Sequence, residues 1–185
     1  MAGMSLPASA SAPASANPAC VINCVHYDDE GKRHDIGLDA ISDVIASGNG
    51  FVWVGLYDPN DDVLLKLQEE FCLHDLAIED ARNAHQRPKV ETYGNSMFVV
   101  VTTAQMVDER IQYGETHAFL GPRFLVTVRH GASLSYAPVR ARVEREPQLL
   151  KMGPSYCLYA VTDFVVDNYL PIVHRFRDTL DLLEK

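Results

Sequence analysis

Apolar and polar positions alternate loosely from Cys20 to Tyr27, give way to Asp28-Asp29-Glu30-Gly31, and resume over Arg33 to Ile36. Alternation broken by turn chemistry predicts a β-hairpin. Leu38, Ile41, Val44 and Ile45 then recur at helical spacing until Gly48-Asn49-Gly50 stops them. Phe51 to Tyr57 is apolar on both faces, as a buried central strand requires. Val63, Leu64, Leu67 and Phe71 share one face of a helix that opens on Asp61-Asp62, where acids meet the positive end of the helix dipole. A shorter helix, His74 to Asn83, follows at once.

Lys89–Tyr93 and Met97–Thr103 flank Gly94-Asn95-Ser96, and Gln112–Leu120 and Phe124–His130 flank Gly121-Pro122-Arg123, which predicts two more hairpins. Pro138 to Leu150 reads as a helix carrying Val139, Val143 and Leu150, cut short by Pro147. From Ser155 to Lys185 apolar residues fall at Leu158, Val161, Val165, Tyr169, Ile172, Phe176, Leu180 and Leu183. Steps of three and four predict one amphipathic helix of about 30 residues, with Pro171 as the place for a kink.

The expected fold class is α+β: an α/β/α sandwich with a mixed, largely antiparallel sheet, helices on both faces, and a long C-terminal amphipathic helix. We divide the chain into a disordered leader over residues 1–18, the sandwich over 19–153 and the long helix over 154–185. That helix is too long for a compact domain to cover, so its far end is expected to pack on something outside this chain. It reaches Leu183-Glu184-Lys185 without a Gly or Asn cap and reads as a helix cut short, the alternative being a natural terminal helix that frays.

The chain has 185 residues, 47% of them hydrophobic and 22% charged, enough for one domain that buries a core without disulfide or metal staples. A net charge of −9 excludes the basic footprint of nucleic-acid binding. No run approaches the roughly 18 apolar residues of a membrane span, so the piece reads as soluble. Cys20, Cys24, Cys72 and Cys157 lack Cys-x-x-Cys spacing, which suits a reducing compartment. The Ala, Ser and Pro of the leader form neither signal peptide nor anchor.

Several patterns resemble sites and read better as structure. Asp58, Asn60, Asp62 and Glu69 occupy positions one, three, five and twelve of a Ca2+ loop, but Val63 stands where that loop needs Gly. Cys20, Cys24 and His26 share a strand face that would suit a soft metal, although buried free cysteines are commoner. His117 and His130 lie on neighbouring strands with no nucleophile pattern beside them and read as structural. Glu79 and Asp80 are different, because they fall in the second half of a short helix, where the dipole disfavours carboxylates. Arg82, Arg87 and Lys89 offer one answer, a solvated salt-bridge face; a hard divalent cation is the other, since hydrated Mg2+ needs only one or two carboxylates. Asp163 and Asp167 make a similar like-charge pair one turn apart on the long helix.

Leu76-Ala77-Ile78-Glu79-Asp80, then His85-Gln86-Arg87-Pro88-Lys89-Val90-Glu91, then a hairpin into Met97-Phe98-Val99-Val100-Val101, resembles the cytoplasmic N-terminal domain of the CorA magnesium and cobalt transporters. Phe51-Val52-Trp53-Val54, Pro138-Val139-Arg140 and the aspartates between Tyr159 and Tyr169 reinforce the likeness, which spans Phe51 to Lys185 and is looser over Cys20 to Gly50.

The resemblance implies a homopentameric channel at the inner membrane. Each subunit would add to this cytoplasmic sandwich a stalk helix and two C-terminal transmembrane helices that lie outside this chain, as does the Gly-Met-Asn pore signature. It further implies that Asp80 helps hold a regulatory Mg2+ against a stalk acid of a neighbouring subunit, and that Glu79 and Asp163 serve a second regulatory site, with Asp167 as an additional acid. Mg2+ would be both regulator and cargo, with Co2+ as a further cargo, and the chain would not be an enzyme. The competing readings are the same domain of a zinc transporter and a stand-alone soluble metal-binding or scaffold protein.

Overall fold

The computed structural model describes residues 17–184, so nearly all of the leader expected over residues 1–18 lies outside the described residues. β1 (Val21–Tyr27) and β2 (Arg33–Asp35) form the first hairpin, and a 3-10 turn at Leu38–Ala40 leads into α1 (Ile41–Ser47). β3 (Phe51–Tyr57), α2 (Asp61–Phe71) and α3 (Asp75–Arg82) follow. Four strands come next: β4 (Lys89–Tyr93), β5 (Ser96–Val107), β6 (Arg110–Gly121) and β7 (Phe124–Gly131). The last helices are α4 (Ala137–Val143), α5 (Pro147–Leu150) and α6 (Pro154–Leu183).

The seven strands make one mixed sheet in the order β2-β1-β3-β7-β6-β5-β4. Every neighbouring pair is antiparallel except β3 and β7, which run parallel from Val52 opposite Phe124 to Tyr57 opposite Arg129. Phe51 to Leu56 are all buried, the apolar-on-both-faces pattern of a strand covered above and below. On one face Val52, Val54 and Leu56 pack with Leu64, Leu67, Ile78 and Ala81 of α2 and α3. On the other, Trp53 and Leu125 pack with Val139, Val143, Cys157, Ala160 and Val161 of α4 and α6. The α/β/α layering expected from the pattern is therefore present.

Two local features differ from the sequence reading. β5 and β6 extend to Val107 and Arg110 and meet in a two-residue turn, Asp108-Glu109, both at positive φ (46° and 62°). Hairpin turns of that kind favour Asn and Gly, so two acids there left no turn signal. Pro147 does not simply end a helix: α4 stops at Val143 and Pro147 opens the separate turn α5, where its missing N–H is harmless.

The 30 residues of α6 run about 45 Å. Its first half is anchored by Cys157, Ala160, Val161 and Val165, and the Tyr169 hydroxyl donates to the Thr102 carbonyl at 2.8 Å. Ile172 is its last buried residue, and Arg175 makes a final tie to Glu109 at 2.8 Å. Beyond that Phe176, Leu180, Leu182 and Leu183 are exposed, and Val166, Leu170 and Val173 extend the same apolar exposure backward. Among the described residues no helix is long and apolar enough to cross a membrane.

Gly50 sits where β3 departs, at φ +65°, with Tyr27 and Asp28 against the position a side chain would take. Its carbonyl accepts two hydrogen bonds from Arg123, 3.1 Å from Nε and 3.0 Å from an Nη, tying the start of β3 to the start of β7. Gly50→Ala combines left-handed strain with a backbone clash. It is expected to cost about 2 kcal/mol or more, read as a lower urea midpoint at unchanged slope.

Candidate functional site

α3 is placed by both of its ends. His74 caps its start, Nδ1 accepting from the Leu76 N–H at 3.3 Å while the ring stacks on Tyr93 at 4.2 Å. Ala77, Ile78 and Ala81 face the core, which turns Glu79 fully outward and leaves Asp80 half-buried at the rim. At the other end the exposed carbonyls of a helix C-terminus need donors. Asn83 supplies two, its side chain to the Glu79 carbonyl at 3.0 Å and its N–H to the Asp80 carbonyl at 3.2 Å. His130 of β7 supplies a third, Nε2 lying 3.0 Å from the Ala81 carbonyl.

The loop from α3 to β4 is held by Glu115 of β6. That buried carboxylate accepts from the Gln86 N–H at 3.1 Å and from His117 Nε2 at 2.9 Å. The His117 and His130 rings lie 5.1 Å apart, and His117 Nδ1 is buried without a partner among the described residues. Nδ1 of His130 faces Asp58 Oδ1 at 3.2 Å. The ring of His130 bridges the end of α3 and the residue that follows β3. These histidines are thus fasteners for the loop, in keeping with their structural reading, and Asp58 belongs to the fastening rather than to a Ca2+ loop.

The loop ends by delivering Lys89 to Asp80. On edge strand β4, Lys89, Glu91 and Tyr93 share the face that α3 covers. Lys89 Nζ lies 2.6 Å from Asp80 Oδ2 and 2.9 Å from Glu91 Oε2, and the Tyr93 hydroxyl donates to Glu91 at 2.9 Å. Asp80, then Glu91, raise the Lys89 ammonium above its ordinary range. Lys89, then Tyr93, hold the Glu91 carboxyl below its own. Of the three cations offered by the sequence Lys89 is therefore the one at Asp80; Arg82 points instead to Asp61 at 3.3 Å. Glu91 was missed by sequence reasoning, although its even spacing from Lys89 on a strand was the available signal.

Asp163 and Asp167 lie on α6, across the sheet from α3. Asp163 Oδ2 accepts from Arg142 of α4 at 3.1 Å, a long-range partner with no sequence signal. Asp167 is exposed, and among the described residues its carboxylate has no partner. The structure thus brings Glu79 to Asp80 and Asp163 to Asp167 but keeps the two pairs apart. Within one chain the sheet stands between Glu79 and Asp163.

Asp80 keeps Oδ1 free of hydrogen bonds among the described residues, and Glu79 presents an exposed carboxylate. Oxygen donors of this number fit a hydrated Mg2+ that retains most of its waters. They do not form a dehydrating cage, since among the described residues no three His, Cys, Asp or Glu side chains converge as metal ligands. Cys24, pushed up to about 12 by burial, is an inert core thiol.

A family model described as CorA-like Mg2+ transporter protein matches residues 48–185, which include all four acids. The chain belongs to the CorA family. It is 35% identical over 133 residues to YfjQ of Bacillus subtilis (strain 168), named as a metal ion transporter, covering 72% of this chain and 41% of that relative. It is 29% identical over 127 residues to the cobalt/magnesium transport protein CorA of Thermotoga maritima, covering 67% of this chain and 36% of the relative. The chain therefore spans about two fifths of the length of these relatives. Its fold matches the soluble domain of CorA from Methanocaldococcus jannaschii with a TM-score of 0.65 at 18% identity, covering 90% of this chain and 65% of that one. At that identity the likeness is one of fold.

The histidine fastening of this CorA-family domain carries a pH signature. Burial holds the His117 imidazole below its ordinary 6.5, against the pull of Glu115. The unfolded chain takes up that proton near pH 6.5 while the folded chain resists it, so stability present at neutral pH is lost as pH falls below that value. Thermal melts are expected to show a midpoint that drops on acidification from about pH 7 to about pH 5. The drop is expected to be shallower in His117→Gln.

Proposed function

We propose that this chain is the Mg2+-sensing cytoplasmic domain of a homopentameric divalent-cation channel, with Asp80 as the principal regulatory ligand. The observation that carries this reading is the Glu79-Asp80 rim. Two adjacent carboxylates stand at the negative end of a helix, one wholly outward, in a chain whose family model is that of Mg2+ transporters. The name of the Thermotoga maritima relative supports Mg2+ and Co2+ as cargo.

The residues act through charge. Asp80 and Glu79 hold negative charge at a surface where an acid of a neighbouring subunit can face them, and repulsion across that seam favours separation of the subunits. A bound Mg2+ would supply the neutralising charge that lets the facing carboxylates approach. Because the sheet separates α3 from α6 in one copy, a site combining Glu79 with Asp163 must draw them from different subunits. The carboxylates thus bias a symmetric closed ring against looser, open arrangements.

Millimolar Mg2+ is expected to slow proteolysis of the full-length protein in detergent. Asp80→Lys is expected to lose most of that Mg2+ dependence while folding normally by circular dichroism. Protection in Asp80→Lys equal to that of the parent overturns the assignment. Uptake of Zn2+ without Mg2+ or Co2+ in reconstituted vesicles would instead assign the domain to a zinc transporter.

A further inference from the structure

We infer that Lys89 is a tethered counter-cation that competes with a divalent ion for Asp80 and sets how much of that ion the site requires. The inference rests on the reading of Asp80 as a regulatory ligand and adds what tunes it.

Three observations carry it. First, the ammonium is held in advance of any ion. β4 fixes Lys89 opposite Val100, and Glu115 pins the preceding loop through Gln86, so little freedom remains to be lost in making the Asp80 contact. Secondly, the side chain is partly withdrawn from water, 28% exposed and 5.8 Å from the centre of the Phe98 ring, which strengthens its attraction to Asp80. Thirdly, Lys89 has somewhere to go. Glu91 Oε2 lies 2.9 Å from the same nitrogen and is steadied by Tyr93. The ammonium can give up Asp80 and stay paired.

Asp80, Lys89 and Glu91 together carry one net negative charge, where the two acids alone would carry two. A dication approaching the free Oδ1 of Asp80 therefore meets less negative charge, and to take both carboxylate oxygens it must shift the ammonium onto Glu91. Such an arrangement suits a sensor that has to stay empty until its ion is abundant. Without Lys89 the same carboxylates would attract the ion at lower concentration.

The test is a Mn2+ titration of this 185-residue chain, following paramagnetic broadening of backbone amides at residues 79–83 and 89–91. In Lys89→Met, and in Lys89→Gln as a second variant, the midpoint is expected to fall about tenfold, the effect of removing one close positive charge. Lys89→Arg is expected to stay near the parent value. Glu91→Gln, which removes the alternative seat, is expected to raise it. Adding Asp80→Asn to Lys89→Met is expected to abolish the broadening. Midpoints for Lys89→Met and Lys89→Gln within twofold of the parent, or no localised broadening in either, overturn the competition. If Asp80→Lys still loses Mg2+ protection in the full-length protein, that failure belongs to Lys89 alone. If protection is also unchanged there, the sensing role falls with it.

Discussion

The parallel pairing of β3 with β7 is the constraint on which the rest of this domain hangs. Every other strand contact is antiparallel and joins neighbours or near neighbours in sequence, but this seam requires the chain to leave β3, build α2, α3 and three strands, and return in the same direction. Its two ends are sealed by side chains, Arg123 on the Gly50 carbonyl at one and the Arg129 guanidinium over the Tyr57 ring at 5.1 Å at the other. The crossover lays α3 over the end of β7, where His130 meets the Ala81 carbonyl. From β7 the chain exits to the opposite face and forms α4 to α6. The acids of α3 and of α6 are on different sides of the molecule because of this one register.

The strongly patterned parts of the fold were legible in the sequence. Phe51 to Tyr57, apolar on both faces, reads as an interior strand, and the spacing from Leu158 to Leu183 reads as a helix. What escaped notice was chemistry that leaves little local trace. Asp108-Glu109 makes its turn without Gly or Asn, held by the long pairing of β5 with β6 on either side. The break between α4 and α5 depends on where Pro147 can be tolerated, which a run of helix-forming residues conceals.

The site was legible in outline and not in its wiring. A conflict between two carboxylates and a helix dipole pointed to Glu79 and Asp80, because dipole and charge are both local. Which cation answers Asp80 is not local. It depends on how far the loop after Asn83 carries the chain, and that is set by Glu115 on a strand read as ordinary sheet. Arg142 on Asp163 is likewise a product of α4 packing beside α6. Sequence located the acids, and tertiary packing decided that Asp80 and Asp163 each meet a base while Glu79 and Asp167 face outward.

The unequal anchoring of α6 has a mechanical side. Its first half is set into the sheet, and its far end extends past the Arg175–Glu109 tie with nothing from the described residues around it. From Ile172 to Leu183 the helix extends roughly 17 Å beyond its packing, so a tilt of about 5° at that point moves its tip by roughly 1.5 Å. Pro171 cannot donate to the Asp167 carbonyl, so an interior hydrogen bond is missing from this rod near where its packing ends. The missing bond puts the easiest place for this helix to bend at the edge of its own seat.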